Sequence, residues 1–382
     1  MAWLALLLVV GTGMLWARQK VAPEDAETLW ISAEEARSAG RIEEAVQLYR
    51  RLVEVQPGHQ QGWWYLCTTS YDLQQWSDTA EAATSLTARW PDYGPGYAML
   101  GLALLRLGDY PRALEMLHRA RAVGLGGNEA LQRVVRYHGA ILLIRLGWYE
   151  AAFQALKGFA YRGERTSGIL DAYGLTILRL PYLPWEIPVE RRELVREVGS
   201  AAFDWESGRR EQAREAFTRI LASHPDESNL HYSYGALLLY VDHEAALSQF
   251  LRDLELNPTN LPALLQVALE YIRRGEFEKA KPFAERAVEV DPSSPSSQFA
   301  LGQVLLETGQ TEEAVRRLEK AVELGPLKPE THFVLGRAYQ RAGRQEDARR
   351  HLQEFERLNR LQKEAEDFLS RDETSQTGSG IP

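Results

Sequence analysis

The stretch PETHFVLGRAYQRAGRQEDARRHLQEF, residues 329–355, decides the fold. Apolar and small residues recur through it at helical spacing, and Gly343 interrupts them once, which reads as two helices joined by a tight turn. Its pair Leu335 and Gly336 returns 34 residues earlier as Leu301 and Gly302, 34 earlier again as Val267 and Ala268, and 33 before that as Tyr234 and Gly235. A register this persistent marks an internal repeat. Prolines keep the same beat: Pro57 and Pro91 stand 34 apart, and Pro225, Pro258, Pro292 and Pro326 follow one another at 33, 34 and 34. Proline lacks an N–H and cannot continue a helix, so it punctuates each unit from the next.

Within the units, glycine falls between the two helices at Gly40, Gly108, Gly147, Gly208, Gly275, Gly309 and Gly343. Small residues on the first helix (Gly101, Ala140, Gly174, Ala201, Gly235, Ala268, Gly302, Gly336) answer small residues on the second (Ala45, Ala113, Ala152, Ala213, Ala246, Ala280, Ala314, Ala348). Small facing small is expected to let the axes approach while larger residues fill the flanks.

The spacing of His332, Leu335, Gly336, Tyr339, Ala348 and Leu352 resembles the tetratricopeptide repeat, a helix-turn-helix unit of about 34 residues. The resemblance implies an all-α fold, a right-handed α-solenoid of tetratricopeptide repeats interrupted by a proline-rich loop. The units read as 26–59, 60–93, 94–127, 133–166, 194–227, 228–260, 261–294, 295–328 and 329–362. They group into an N-terminal array at 26–166 and a C-terminal array with a capping helix at 194–369, followed by a compositionally disordered tail at 370–382. The pattern weakens at Gln74, where glycine is expected, and at Gly124–Asn128, where a glycine turn replaces proline and the next helix is expected to lengthen. It breaks at 167–193: Leu170, Tyr173, Gly174 and Ile177 resemble a first helix, but Pro181, Pro184 and Pro188 forbid the second. An orphan helix, an extended loop and a new helix near Val189 are expected there.

Residues 3–17, WLALLLVVGTGMLWA, are an uncharged apolar run followed by Arg18, Gln19 and Lys20. The run is short of the roughly 20 residues that span a bilayer and fits the core of a secretory signal. No Lys or Arg precedes it, and cutting after Ala17 would put Leu15 at the upstream specificity position, so residues 1–20 read as a signal peptide or an N-terminal membrane anchor. The basic pair would keep the following chain on the cytoplasmic side of an anchor. Either way the expectation is a cell-envelope protein, exported or anchored in the inner membrane.

With 44 Lys+Arg against 53 Asp+Glu and a net charge of -9, a broad nucleic-acid-binding face is not expected. The single cysteine, Cys67, excludes an intramolecular disulfide and a thiolate zinc cluster. His243 and Glu244 begin like a zinc-protease motif, but Leu247 stands where the second histidine must be. No nucleophile elbow or phosphate loop is present, so no catalytic residue, metal or cofactor is expected and the chain reads as a non-enzymatic scaffold.

In tetratricopeptide proteins the first helices line a partner-binding groove, and the resemblance maps its positions onto Trp30, Trp64, Tyr71, Tyr137, Trp205, Tyr232, Tyr240, Phe299 and Phe333. The last groove position gives Arg106, Arg145, Arg179, Arg273 and Arg341. Aromatic residues and arginine are the chemistry of interaction hot spots, which implies recognition of an acidic-apolar peptide or protein partner. Tyr182 and Trp185 in the proline loop are expected as a contact or hinge element. A membrane-anchored assembly regulator with cytoplasmic repeats, or an accessory subunit of an envelope enzyme complex, remains the alternative role.

Overall fold

The computed structural model describes residues 25–376, with side chains through Lys363. The leader expected at residues 1–20 and the last part of the tail, 377–382, lie outside the described residues. Nineteen α-helices and two 3-10 turns are present among the described residues, and no strand. The chain forms two compact units that divide after Leu146. In the first, α1 (Ala26–Ser38) pairs with α2 (Ile42–Val55), α3 (Gln60–Asp72) with α4 (Trp76–Arg89) and α5 (Gly94–Leu107) with α6 (Tyr110–Val123). Helix α7 (Glu129–Arg145) ends that unit, and its 17 residues include the expected extension.

The second unit begins with α8 (Tyr149–Tyr161) and α9 (Ser167–Ile177), followed by 3-10 turns at Pro184–Glu186 and Val189–Arg191. Five pairs follow, the last of them closed by a long terminal helix. Helix α10 (Arg192–Glu206) pairs with α11 (Arg210–Ser223), α12 (Leu230–Leu238) with α13 (His243–Leu256) and α14 (Leu261–Arg273) with α15 (Phe277–Val290). Then α16 (Pro295–Glu307) pairs with α17 (Thr311–Leu324), and α18 (Pro329–Arg341) with α19 (Gln345–Gln376). Helix α19 passes Leu369, the end expected from composition, because no glycine or proline intervenes before Gly378.

All seven turn glycines named above adopt the left-handed conformation, with φ between +73° and +84°. Gln74 takes it too, at φ +58°, without glycine's freedom. The packing between paired helices sharpens one expectation. A Cβ on Gly101 would lie 2.6 Å from the Leu117 side chain, on Gly235 2.8 Å from Phe250, on Gly302 2.7 Å from Leu318 and on Gly336 2.9 Å from Leu352. The glycine is therefore a hole for the large residue one turn beyond the partner alanine, and it also lies close to that alanine's backbone, with Ala113 O 3.0 Å from a Cβ on Gly101, Ala246 O 3.2 Å from one on Gly235 and Ala348 O 3.5 Å from one on Gly336. Knob and hole interdigitate, so the close approach is also a filled one.

A second device ties successive pairs together. The proline two residues past each of these second helices leaves its carbonyl outside the helical ladder, and a side chain six residues later donates to it. Trp63 Nε1 donates to Pro57 O at 2.9 Å, His231 Nε2 to Pro225 O at 3.0 Å, Gln298 Nε2 to Pro292 O at 2.8 Å and His332 Nε2 to Pro326 O at 2.9 Å. A carbonyl only accepts, so these imidazoles carry their proton on Nε2.

The helix expected to be an orphan is instead the centre of the second unit's first half. Eight residues of α9, from Ile169 to Ile177, are buried, and it packs on α8, α10 and α12. Its crossing with α10 is backbone on backbone: a Cβ on Gly174 would lie 1.8 Å from Val195 O, and one on Gly199 1.9 Å from Leu170 O. The proline loop does not separate two arrays, and the boundary between units falls after Leu146 rather than at 167–193. Leu183 and Ile187 anchor the loop in the core, and its two 3-10 turns pack on α9 and α10.

Substituting Gly174→Ala is expected to destabilise the second unit by about 3 kcal/mol, the upper end of overpacking costs, because a carbonyl cannot move aside as a side chain tip can. Gly139→Ala, whose Cβ would meet nothing within 4 Å in the interior of α7, is expected to stabilise by about 0.5–1 kcal/mol. Denaturant titration of the two variants checks both signs. A further prediction concerns Glu270, which is 4% exposed and receives hydrogen bonds from Arg273 (2.6 Å) and Arg274 (2.8 Å). The Arg273 hydrogen bond, opposed by burial and helped by Arg274, holds its carboxyl at about 2 rather than the ordinary 4.5. A depressed carboxyl stabilises the fold above its unfolded value, and that contribution is lost as pH falls from about 4.5 through about 2. The stability difference between wild type and Glu270→Gln should therefore shrink across that window and be constant above it.

Candidate partner-binding pocket

The loss of a second helix after α9 leaves a cavity of about 500 Å³ between α8, the C-terminal end of α9, the end of α10 and α12. Its volume is in the range of pockets that bury a ligand or an anchoring side chain. Local chemistry fixes each wall. The chain turns out of α9 at Arg179, which stands in the left-handed region at φ +52° and accepts the place that glycine takes elsewhere, closing the helix with its N–H on Thr176 O. That conformation costs a residue with a side chain about 1 kcal/mol or more. It aims the guanidinium across the cavity, 4.8 Å from the Tyr149 ring centre and 5.3 Å from that of Tyr232, with Nη1 2.6 Å from Glu150 Oε1.

Tyr232 is fixed by its backbone. Its N–H donates to Asp253 Oδ1 at 3.2 Å, and Asn260 Nδ2 holds the other carboxylate oxygen at 2.6 Å, so a residue of α13 caps the first turn of α12. Ser233 donates to Ile177 O and ties α12 to the end of α9. Burial pushes the Tyr232 hydroxyl up to about 12, against the pull of Arg179. On the opposite wall Lys157 Nζ lies 3.6 Å from Glu206 Oε2. Burial raises the Glu206 carboxyl, and the lysine opposes the shift. Phe153 and Trp205 supply apolar surface, while Tyr161 (71% exposed) and Tyr240 (88% exposed) stand at the rim.

Four residues expected from the sequence meet at this cavity: Arg179, Trp205, Tyr232 and Tyr240. The others are dispersed. Trp64 and Tyr71 are half-buried, edge-on to Tyr93 and Trp76, and Tyr137 is half-buried against His138. Phe299 packs against the core of the last repeats. The arginines have structural work. Arg106 lies over the Trp76 ring at 5.4 Å and Arg145 over Tyr110 at 5.0 Å, just as Arg179 lies over Tyr149, so each clasps the aromatic residue that starts the preceding second helix. Arg273 is held by Glu270, and Arg341 by Leu306 O (2.5 Å) and Glu307 (3.0 Å). In the loop, Tyr182 is half-buried and Trp185 is 46% exposed, neither at the cavity.

Sequence reasoning missed Tyr149, Glu150, Phe153, Lys157, Tyr161, Glu206 and Arg210. Most of these lie on or beyond α8, a second helix, and a groove rule that looks only at first helices passes over them. The available signal was the missing second helix at 178–191, which had to leave a face of its neighbours unfilled.

Comparison with known proteins agrees with the helix pairs. Residues 204–260 and 95–119 each match a tetratricopeptide repeat model, and 273–355 match the model of subunit 3 of the anaphase-promoting complex, cyclosome. No curated protein matches the chain. Among solved structures, MamA (41-end) from Desulfovibrio magneticus RS-1 is similar at 22% identity and a TM-score of 0.40, over 44% of this chain and 94% of that one. A structure titled "Crystal structure of MamA" gives 16% identity and a TM-score of 0.39, over 43% of this chain and 96% of that one. Paired helices, left-handed turns, glycine holes and these repeat matches converge on one family: the chain is a tetratricopeptide repeat protein.

Proposed function

We infer that the chain is a non-enzymatic adaptor of the cell envelope that gathers peptide or protein partners on its repeats. The observation that carries the binding role is the cavity of the second unit, where an arginine is held between two tyrosine rings and two exposed tyrosines stand at the rim. Buried apolar walls with a few placed charges and exposed aromatic residues are the composition of interaction hot spots. The envelope location rests on the apolar run at 3–17 and its basic flank. Among the described residues no helix is long and apolar enough to cross a membrane.

A photo-crosslinking residue placed at Tyr240 or Tyr161 in the expressed full chain is expected to yield discrete adducts with partner proteins, and one placed at Glu289 on α15 to yield none. Equal adducts at all three positions, or none at any, would remove the cavity as a partner site. Cell fractionation with mass spectrometry of the N-terminus checks the location. Recovery of the chain in the envelope fraction is expected; recovery in the soluble cytoplasm with Met1 intact would overturn it.

A further inference from the structure

We propose that the cavity takes an acidic-aromatic segment of a partner protein, whose carboxylate replaces Glu150 on Arg179 while its apolar side chain enters between Phe153, Trp205 and Tyr232. This rests on the adaptor reading and names the chemistry of the partner at its site. The lining carries three cations, Lys157, Arg179 and Arg210, against two carboxylates, Glu150 and Glu206. A positive excess at one cavity is notable in a chain of net charge -9. Complementarity therefore favours an acidic partner and opposes a basic one.

The distribution of those charges sharpens the point. Lys157 lies 3.6 Å from Glu206, which is 10% exposed. Arg210 and Glu150 stand exposed, while Lys157 (29% exposed) and Arg179 (21% exposed) are half-buried in the lining. Arg210 lies 6.0 Å from the Trp205 ring centre and acts electrostatically on Glu206 without a direct ion pair among the described residues. Glu150 bonds to Arg179 at 2.6 Å while 68% exposed. Only the glutamate side of this pair is exposed, so a partner carboxylate can reach the guanidinium by displacing Glu150 into solvent. Arg179 itself is 21% exposed and does not have to move to receive the replacement, because two rings and a left-handed turn fix it in place. Glu150 thus occupies the position of the partner's carboxylate, as an internal competitor. Beside it, Phe153, Trp205 and Tyr232 offer the apolar walls that an aromatic anchor would fill.

The test uses the full chain and three fluorescent peptide pools, each with a central Phe or Trp flanked by Asp/Glu, by Asn/Gln or by Lys/Arg, with outer positions randomised. The acidic pool is expected to bind at least tenfold more tightly than the basic pool. Glu150→Gln should tighten the acidic pool about threefold by removing the competitor. Arg179→Gly should weaken it at least tenfold. Glycine is at ease in the left-handed turn, so this variant removes the guanidinium without straining the fold, and an unchanged melting curve confirms that. Arg210→Gln gives a second loss from a position outside the strained turn. Neutral or basic pools that bind as well as the acidic one, crosslinking from position 240, would overturn the acidic-partner inference and leave the adaptor reading standing. Glu150→Gln weakening the acidic pool would also overturn it. No crosslink from any pool at position 240 would remove the cavity as a peptide site altogether.

Discussion

A helix that has lost its partner must still bury its apolar face, and in this protein the crossing of α9 and α10 meets that requirement. Two glycines, Gly174 and Gly199, bring the backbones together so closely that a single Cβ on either would collide with a carbonyl. The contact fixes the position of α9, and from it follow the seat of α12, the inward course of the proline loop and the exit of the chain at Arg179. The open wall beside α8 is the complement of the same event. A cavity exists because one helix of a pair is absent and its neighbours are held too rigidly to collapse into the gap.

Elsewhere the architecture repeats two small solutions. A glycine hole on the first helix receives a Leu or Phe from the second, and a side chain six residues past the terminating proline satisfies its carbonyl. The donors in the second device are Trp63, His231, Gln298 and His332, which share no chemistry except an N–H of the right reach. Apolar burial drives the stacking, and these hydrogen bonds fix its register. The stacked arginines belong with this scaffold: Arg106 and Arg145 brace neighbouring helices through aromatic rings, and at Arg179 the same clasp opens onto a cavity.

Much of the fold was legible in the sequence because its signals are local and periodic. The spacing of Leu335 and Gly336 with their earlier copies, the prolines that end the second helices and the glycines that turn the chain each act within a few residues of themselves. Even the site was half legible, since Arg179, Trp205, Tyr232 and Tyr240 come from first-helix positions. What stayed hidden was the other wall. Tyr149, Glu150, Phe153 and Lys157 look like ordinary residues of a second helix, and nothing local distinguishes them from those on α6 or α17. The glycine of each first helix was read as facing an alanine, although the residue filling it lies one turn further on; spacing along a helix does not tell which neighbour a hole accepts.

By itself, then, the sequence determined an all-helical repeat protein, its period, its turn residues and the place where the period fails. Those follow from backbone constraints at proline and glycine and from the helical spacing of apolar side chains, all of which act along the chain. Only the tertiary structure decided that the helix at 167–177 lies at the centre of the second unit rather than beside it, that the boundary between units falls after Leu146, and that a cavity opens against α8. Those outcomes depend on contacts between residues 21 to 56 apart, such as Gly174 with Val195, Arg179 with Glu150 and Ser233 with Ile177. Such contacts are set by which surfaces fit when all the helices are packed at once, and a periodic pattern carries no record of that fit.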